Sequence, residues 1–210
     1  MRVTTFGTSC QGKTTFIEDF IKTFPMYKKA DQSYREVAKK NPKVILNENG
    51  NAEGQTLILN ALCDEAMKYK KDDNIIHDRG VYDNFAYTLW LNYKEKISDV
   101  DVEKAIPIVR EAGKFYDIIF FFPIEENHKI EVVPDKDGQR SLNMEFRSEV
   151  DAIMKSIVKT YNEKRGSFFD FNDSPAIIPI YGTREERIIQ AKFYIEPETG
   201  KNIEESLLKE

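Results

Sequence analysis

The chain has 210 residues, 40 % apolar and 32 % charged, with a net charge of −5. That suits one α/β domain with a sizeable core and is short for two. Mild acidity argues against general nucleic-acid binding, which runs on phosphate neutralisation by Lys and Arg and here would need a local basic groove. Two cysteines, Cys10 and Cys63, provide no disulfide framework and no metal cluster, and Cys10 reads as a small filler in a tight loop. No apolar stretch approaches the roughly 20 residues that cross a bilayer. The opening Met1 to Phe6 reads as a strand and not a leader, so the expected location is the cytoplasm with no membrane partner.

In chain order, Arg2 to Phe6 is a short β-rich run and Gly7 to Gly12 a turn. Phe16, Ile17, Phe20, Ile21 and Phe24 then recur at helical spacing, and Pro25 stops that helix. The polar, tyrosine-bearing stretch Met26 to Tyr34 sits where a second strand would fall, and Asn41-Pro42 breaks the chain again. Gly50 to Gly54 reads as a loop, Leu57 to Met67 as a helix, and Asn74 to His77 as a buried strand ending at Asp78. Phe85 to Tyr93 and Val100 to Gly113 read as helices. Tyr116 to Phe122, closed by Pro123, is the strongest strand, its near-continuous apolar run fitting a central parallel strand covered on both faces. Glu125 to Arg140 is a loop or lid, Asn143 to Lys164 a long amphipathic helix, Ala176 to Ile180 a last strand and Thr183 to Tyr194 a last helix. The expected organisation is a domain over residues 1–195, with a lid at about 124–147, and a charged tail over 196–210. Alternating strands and helices predict a three-layer α/β fold, a mostly parallel sheet of about five strands flanked by helices, with ligands at the carboxyl ends of the strands.

Gly7-Thr8-Ser9-Cys10-Gln11-Gly12-Lys13-Thr14 has the spacing G-x-x-x-x-G-K-[ST], the Walker A or P-loop pattern. Glycines let the backbone turn so that successive N–H groups face phosphate oxygens, and the following helix adds its positive dipole end. In such a loop Lys13 is expected to reach the β- and γ-phosphates, and the Thr14 hydroxyl can ligand Mg²⁺. The strand before the motif and the amphipathic helix after it are its confirming context. Residues Gly7 to Thr15 are therefore expected to bind nucleotide; the motif does not separate kinase from ATPase or GTPase.

Asp78 ends the second buried strand, where an acid holds Mg²⁺ or acts on an acceptor hydroxyl. Arg79 beside it is placed to clamp phosphate. His77 should face away from Asp78, either packed or at the surface, and His128 should be an exposed loop residue. Asp137-Gly138-Gln139-Arg140 and then Arg147 suggest an arginine-bearing lid that covers a triphosphate, the alternative being a solvated loop.

These segments, with Tyr34-Arg35-Glu36-Val37, Ile76 to Asp83, Tyr116-Asp117 and Gly182 to Arg187, together resemble the ribosylnicotinamide-kinase-like and thymidylate-kinase-like branch of P-loop kinases over nearly the whole chain to about residue 194. The resemblance implies ATP with Mg²⁺ and phosphoryl transfer to a small nucleoside, nucleotide or similar acceptor. It implies lid roles for Arg140 and Arg147 and places Gly182, Thr183 and Arg184 beside the adenine. Where the family pattern has Glu, three residues before Arg35, this chain has Gln32, so the base stays open between Asp31 and Asp78. Tyr27, Tyr34, Tyr82 and Phe85 are candidates to line an acceptor pocket, and Gln55 to bond a base edge. Two other functions use the same loop: an ATPase or switch acting with a protein partner, and a kinase of a nucleic-acid hydroxyl.

Overall fold

A computed structural model describes residues 1–31, 34–126, 128, 130–134 and 141–196. Arg140 and the Asp137 to Arg140 segment, Gln32, and the expected tail beyond Glu196 lie outside the described residues. Five strands, β1 (Arg2–Phe6), β2 (Lys28–Lys29), β3 (Ile75–His77), β4 (Ile118–Phe121) and β5 (Ala176–Pro179), form one sheet in the order β2-β3-β1-β4-β5. Every pairing is parallel. The helices are α1 (Lys13–Thr23), α2 (Tyr34–Lys40), α3 (Ala52–Met67), α4 (Val81–Tyr93), α5 (Asp99–Gly113), α6 (Met144–Asn162) and α7 (Arg184–Ile195).

Side chains alternate across the central strands, and each set founds a separate core. Val3, Ile76, Ile118, Phe120 and Phe122 meet Phe16, Phe20, Phe24 and Tyr27 on the side of α1 and α7. Phe6, Ile119, Phe121 and Ile177 meet the apolar faces of α3, α4, α5 and α6 on the other. The parallel register sets Val3 beside Ile118 and Phe6 beside Phe121, so the two central strands end together at the phosphate loop. Arg2 clamps Asp117 through its backbone N–H and guanidinium at 2.6 to 3.3 Å, which pins the start of β4 to the start of β1.

Several boundaries differ from the sequence expectation. The second strand shrinks to two exposed lysines at the sheet edge, where charge blunts edge pairing. The helix α2 was not anticipated. The expected loop Gly50 to Gly54 already contains the start of α3: Asn51 caps it, its side-chain oxygen accepting from Gly54 N at 3.1 Å. A side chain at Gly54 would bring Cβ within 2.5 Å of that capping oxygen. Helix α4 begins four residues before Phe85, because Val81 and Tyr82 are buried and continue its packed face.

Candidate active site

The loop Gly7–Gly12 joins the carboxyl end of β1 to α1. Gly7 has φ +152°, and a Cβ there would lie 2.6 Å from the Phe122 carbonyl oxygen, so only glycine lets the loop leave the sheet so close to β4. Cys10 and Gly12 also take positive φ, 59° and 74°. Lys13 is buried, and its Nζ donates to the carbonyls of Gly7 and Thr8 at 2.6 Å each. Burial pulls its pKa down to about 7, with Arg79 pushing the same way and Asp83, Asp78 and Cys10 opposing. A cleft of about 180 Å³ over the loop is lined by Lys13, Thr14, Thr15, Asp78, Arg79 and Arg35, among others. The fold thus brings the loop, Thr14, Asp78 and Arg79 together. Asp31 is exposed at the end of β2, its backbone N–H held by Glu65 at 2.9 Å, and it does not line this cleft.

Asp78 and Arg79 reach the cleft through the geometry of the β3 exit. His77 turns inward between the ring edges of Tyr69 and Tyr116, 3 % exposed, and burial lowers its pKa to about 4. Asp78 faces the other way and lies 3.7 Å from Lys29. Arg79 adopts φ +78°, its N–H donating to Thr5 Oγ1 at 3.2 Å. Its guanidinium stands between the rings of Tyr34 and Tyr87, 4.9 and 5.6 Å from their centroids, and pairs with Asp83 at 3.1 Å.

Arg79 also lines a second, narrow cavity of about 40 Å³ bounded by Ser9, Tyr34, Gln55, Asp83, Asn84 and Tyr87, among others. Asn84 Nδ2 donates to Gln55 Oε1 at 2.8 Å and to the Gln55 carbonyl at 3.2 Å. Asp83 Oδ1 accepts from Gly7 N at 3.4 Å and from Arg79, whereas Asp83 Oδ2 and Asn84 Oδ1 are buried without a partner among the described residues. Burial pushes the Asp83 carboxyl up to about 6, against Arg79, Lys13 and the N–H groups of Gly7 and Gly80. Of the four aromatic candidates only Tyr34 reaches this cavity. Tyr27 packs on Phe20 and Phe24, Tyr82 on Phe169 and Phe85 on Phe168, all in the core. Gln55 does line the cavity.

Arg147 belongs to the first turn of α6, not to a loop, and is 1 % exposed. Its Nε donates to the Ser9 carbonyl at 3.0 Å. The Gln11 amide bridges it to the segment that follows β4, the oxygen accepting from Arg147 Nη2 at 2.9 Å and the nitrogen donating to the Pro123 carbonyl at 3.2 Å. Here Arg147 braces the phosphate loop from behind.

A third cleft, of about 310 Å³, lies beside Gly12, Thr15, Gly182, Arg184, Arg187 and His128. Arg184 reaches back to Asp19 of α1 at 2.7 and 2.9 Å. The Thr183 side chain caps α7 in a reciprocal pair with Glu186. Gly182 has φ +80° and donates its N–H to Glu125 at 3.1 Å. His128 is half-buried on the wall of this cleft, less open than the sequence suggested. Arg187, which sequence reasoning passed over, is 4 % exposed and joins three loops: it donates to the carbonyls of Gln11 at 2.7 Å and Gly182 at 2.8 Å and pairs with Glu125 at 3.1 Å. Asp83 and Asn84 were also missed. The signal for Asp83 was an acid in the first turn of the helix that starts two residues after Arg79.

Five parallel strands with a glycine loop leaving the central one, a lysine at its end and an acid on the neighbouring strand define a P-loop nucleotide-binding fold. The family model described as an AAA domain, AAA_28, matches residues 2–165, and the chain belongs to that family. No curated protein matches the sequence. Among solved structures, the deoxyadenosine kinase from M. mycoides with bound dATP is similar at a TM-score of 0.63 and 15 % identity, over 93 % of this chain and 98 % of that one. Thymidylate kinase from Candida albicans is similar at 0.60 and 16 % identity, over 96 % and 92 %. The NadR protein in complex with NR gives 0.60 at 13 % identity over 92 % of this chain, which spans half of that one. At these identities the likeness is one of fold. Among the described residues no helix is long and apolar enough to cross a membrane.

Proposed function

We propose that the protein is an ATP-dependent kinase that transfers a phosphoryl group to a small nucleoside-like or nucleotide acceptor. One observation carries this reading: the cleft over the phosphate loop and the cavity of Gln55, Asp83 and Asn84 are separate spaces that share a wall of Ser9, Tyr34 and Arg79, with Arg79 its charged member. An NTPase needs only the first space and a positioned water, whereas a kinase needs both, with a cation where they meet. The names of the similar structures, two kinases among them, support the same reading.

In this reading the loop N–H groups, the α1 N-terminus and Lys13 hold the triphosphate. The adenine lies in the cleft of Gly182, Arg184 and Arg187. Thr14 and Asp78 present a hydroxyl and a carboxylate to one cleft, hard oxygen donors that fit Mg²⁺. When bound, Mg²⁺ neutralises charge on the phosphate oxygens. Asp78 is favoured over Asp31 to orient the acceptor hydroxyl, because only Asp78 lines the cleft. Arg79 stabilises the transferring charge, and Arg140, expected from the sequence to be a lid residue, is assigned the same role. Arg147 acts through the loop it braces. Positioning and fixed charge supply most of the rate.

The test is ATP consumption with product analysis across nucleosides, nucleoside monophosphates, ribosylnicotinamide and short oligonucleotides, for the wild type and Lys13→Ala. A phosphorylated product that Lys13→Ala fails to make is expected. ATP hydrolysis unaffected by every acceptor, but stimulated by a protein, would replace the kinase with an ATPase switch.

A further inference from the structure

The acceptor cavity has a charge pattern that selects between the two classes of small acceptor left open above. Its charged lining residues are Arg79 and Asp83, and they neutralise each other at 3.1 Å. The other nearby arginine, Arg35, lines the phosphate-loop cleft and not this cavity, its Nε donating to the Tyr34 hydroxyl at 3.2 Å. Two acceptor oxygens, Asp83 Oδ2 and Asn84 Oδ1, make no hydrogen bond among the described residues, although the Gly80 N–H lies close enough to Asp83 to lower its pKa, and their side chains are 2 % and 4 % exposed. Buried acceptors left without a partner are unfavourable, and a ligand that brings donors to them gains what their desolvation lost. A phosphate dianion brings only more acceptors and negative charge.

On the kinase reading, we propose that the acceptor enters this cavity as an unphosphorylated, hydroxyl-bearing nucleoside-like compound, its O–H or N–H groups received by Asp83 and Asn84, and that nucleoside monophosphates are rejected. At about 40 Å³ the cavity has no room for a nucleoside while the guanidinium fills the gap between Tyr34 and Tyr87. Arg79 already borders the phosphate-loop cleft, so binding both substrates turns it toward the phosphates and parts the half-buried wall of Tyr34, Leu46 and Asn47. Asp83 then loses its cation. A hydroxyl or amino donor compensates that loss and an anion compounds it, so Asp83 works as a positioning and specificity residue.

The experiment compares matched pairs, each nucleoside against its own 5′-monophosphate, with Mg²⁺-ATP and the full chain, products resolved by mass. The expected result is a monophosphate made from at least one nucleoside, with kcat/KM for the matched monophosphate lower by roughly 100-fold or more. A diphosphate made from a monophosphate with equal or better efficiency overturns the proposal. If neither class is phosphorylated, the kinase reading fails and equilibrium binding of the same pairs decides the cavity's preference. Tighter nucleoside binding upholds it, while tighter monophosphate binding, or binding of neither, overturns it. Asp83→Asn is expected to raise KM for the nucleoside about tenfold, the effect of one lost polar contact, with a smaller change in KM for ATP, and to narrow the gap to the monophosphate. An unchanged gap in a folded variant removes Asp83 from the role. Should Asp83→Asn not fold, Asn84→Leu, which keeps the branched shape and removes the second acceptor, must raise the nucleoside KM or the proposal falls.

Discussion

Lys13 gives the sharpest quantitative test of the phosphate cradle. In the free protein its ammonium is buried among Arg79, Asp83, Asp78 and Cys10, and burial holds its pKa at about 7, down from 10.5. A bound polyphosphate puts several negative charges against Nζ and restores the ammonium form. Nucleotide binding should therefore take up a proton wherever the free lysine is neutral. With a free-state pKa of about 7 and a bound-state pKa well above it, uptake is about 0.9 proton at pH 8 and about 0.1 at pH 6. The sign follows: affinity is flat below about pH 7 and weakens as pH rises beyond it, by close to tenfold per unit until the bound-state pKa is reached. Asp83, held near 6, adds a smaller change at the acid end. Titration calorimetry of Mg²⁺-ATP in two buffers of different ionisation enthalpy, at pH 6 and pH 8, reads the uptake directly. Lys13→Met should abolish the pH 8 uptake. Equal uptake at both pH values, or uptake that survives in Lys13→Met, would refute the reasoning.

Three further substitutions probe other parts of the design. Arg187→Met strips Glu125 of its buried cation and leaves the Gln11 and Gly182 carbonyls without their donor, so urea unfolding should show a loss of about 3 kcal/mol; a loss below about 0.5 kcal/mol would mean the three loops hold without it. Gly7→Ala forces a side chain into a positive-φ position against the Phe122 carbonyl and should abolish nucleotide binding with a stability loss of about 2 kcal/mol, read by calorimetry and melting. His77 is held neutral by burial, its pKa lowered from 6.5 to about 4, so the unfolded chain binds the extra proton between those values. The associated stability is complete above about pH 6.5, falls by about 3 kcal/mol as pH drops to 4, and that slope should vanish in His77→Phe.

The sequence disclosed most where one local rule decides the outcome. The glycine spacing of Gly7 to Thr14 fixes a loop shape that few other sequences make, and the apolar run around Ile118 to Phe121 fits only a covered parallel strand. The edge strand at Lys28 was not legible because two residues carry no periodicity. Helix α2 was hidden by its polar composition, since it has no fully buried residue. In the site, Lys13, Thr14, Asp78 and Arg79 follow from chain position, each within two residues of a strand end or helix start. Arg187 and Asp83 act through partners far along the chain, Gln11 and Gly7 among them, and no pattern in one dimension announces such a meeting. Arg147 shows the reverse problem: an arginine near a lid reads as a lid arginine until the helix that carries it is seen to turn it under the phosphate loop.

The segment from His77 to Arg79 concentrates the logic of the site. Strand alternation sends His77 into the core and Asp78 into the phosphate cleft, and a third extended residue would point Arg79 back toward the core. The positive φ at Arg79 breaks that alternation. A non-glycine residue in this conformation costs about 1 to 3 kcal/mol and persists only where its surroundings over-determine it. Those surroundings are present: Thr5 fixes the N–H, Asp83 pairs with the guanidinium, and two tyrosine rings flank it. Glycine would relieve the strain but would leave Asp83 without its paired guanidinium and the wall shared by the two clefts without its charged member. A strained arginine where glycine fits the backbone better argues that the side chain is kept for what it does between the two spaces, because the backbone alone would favour its loss.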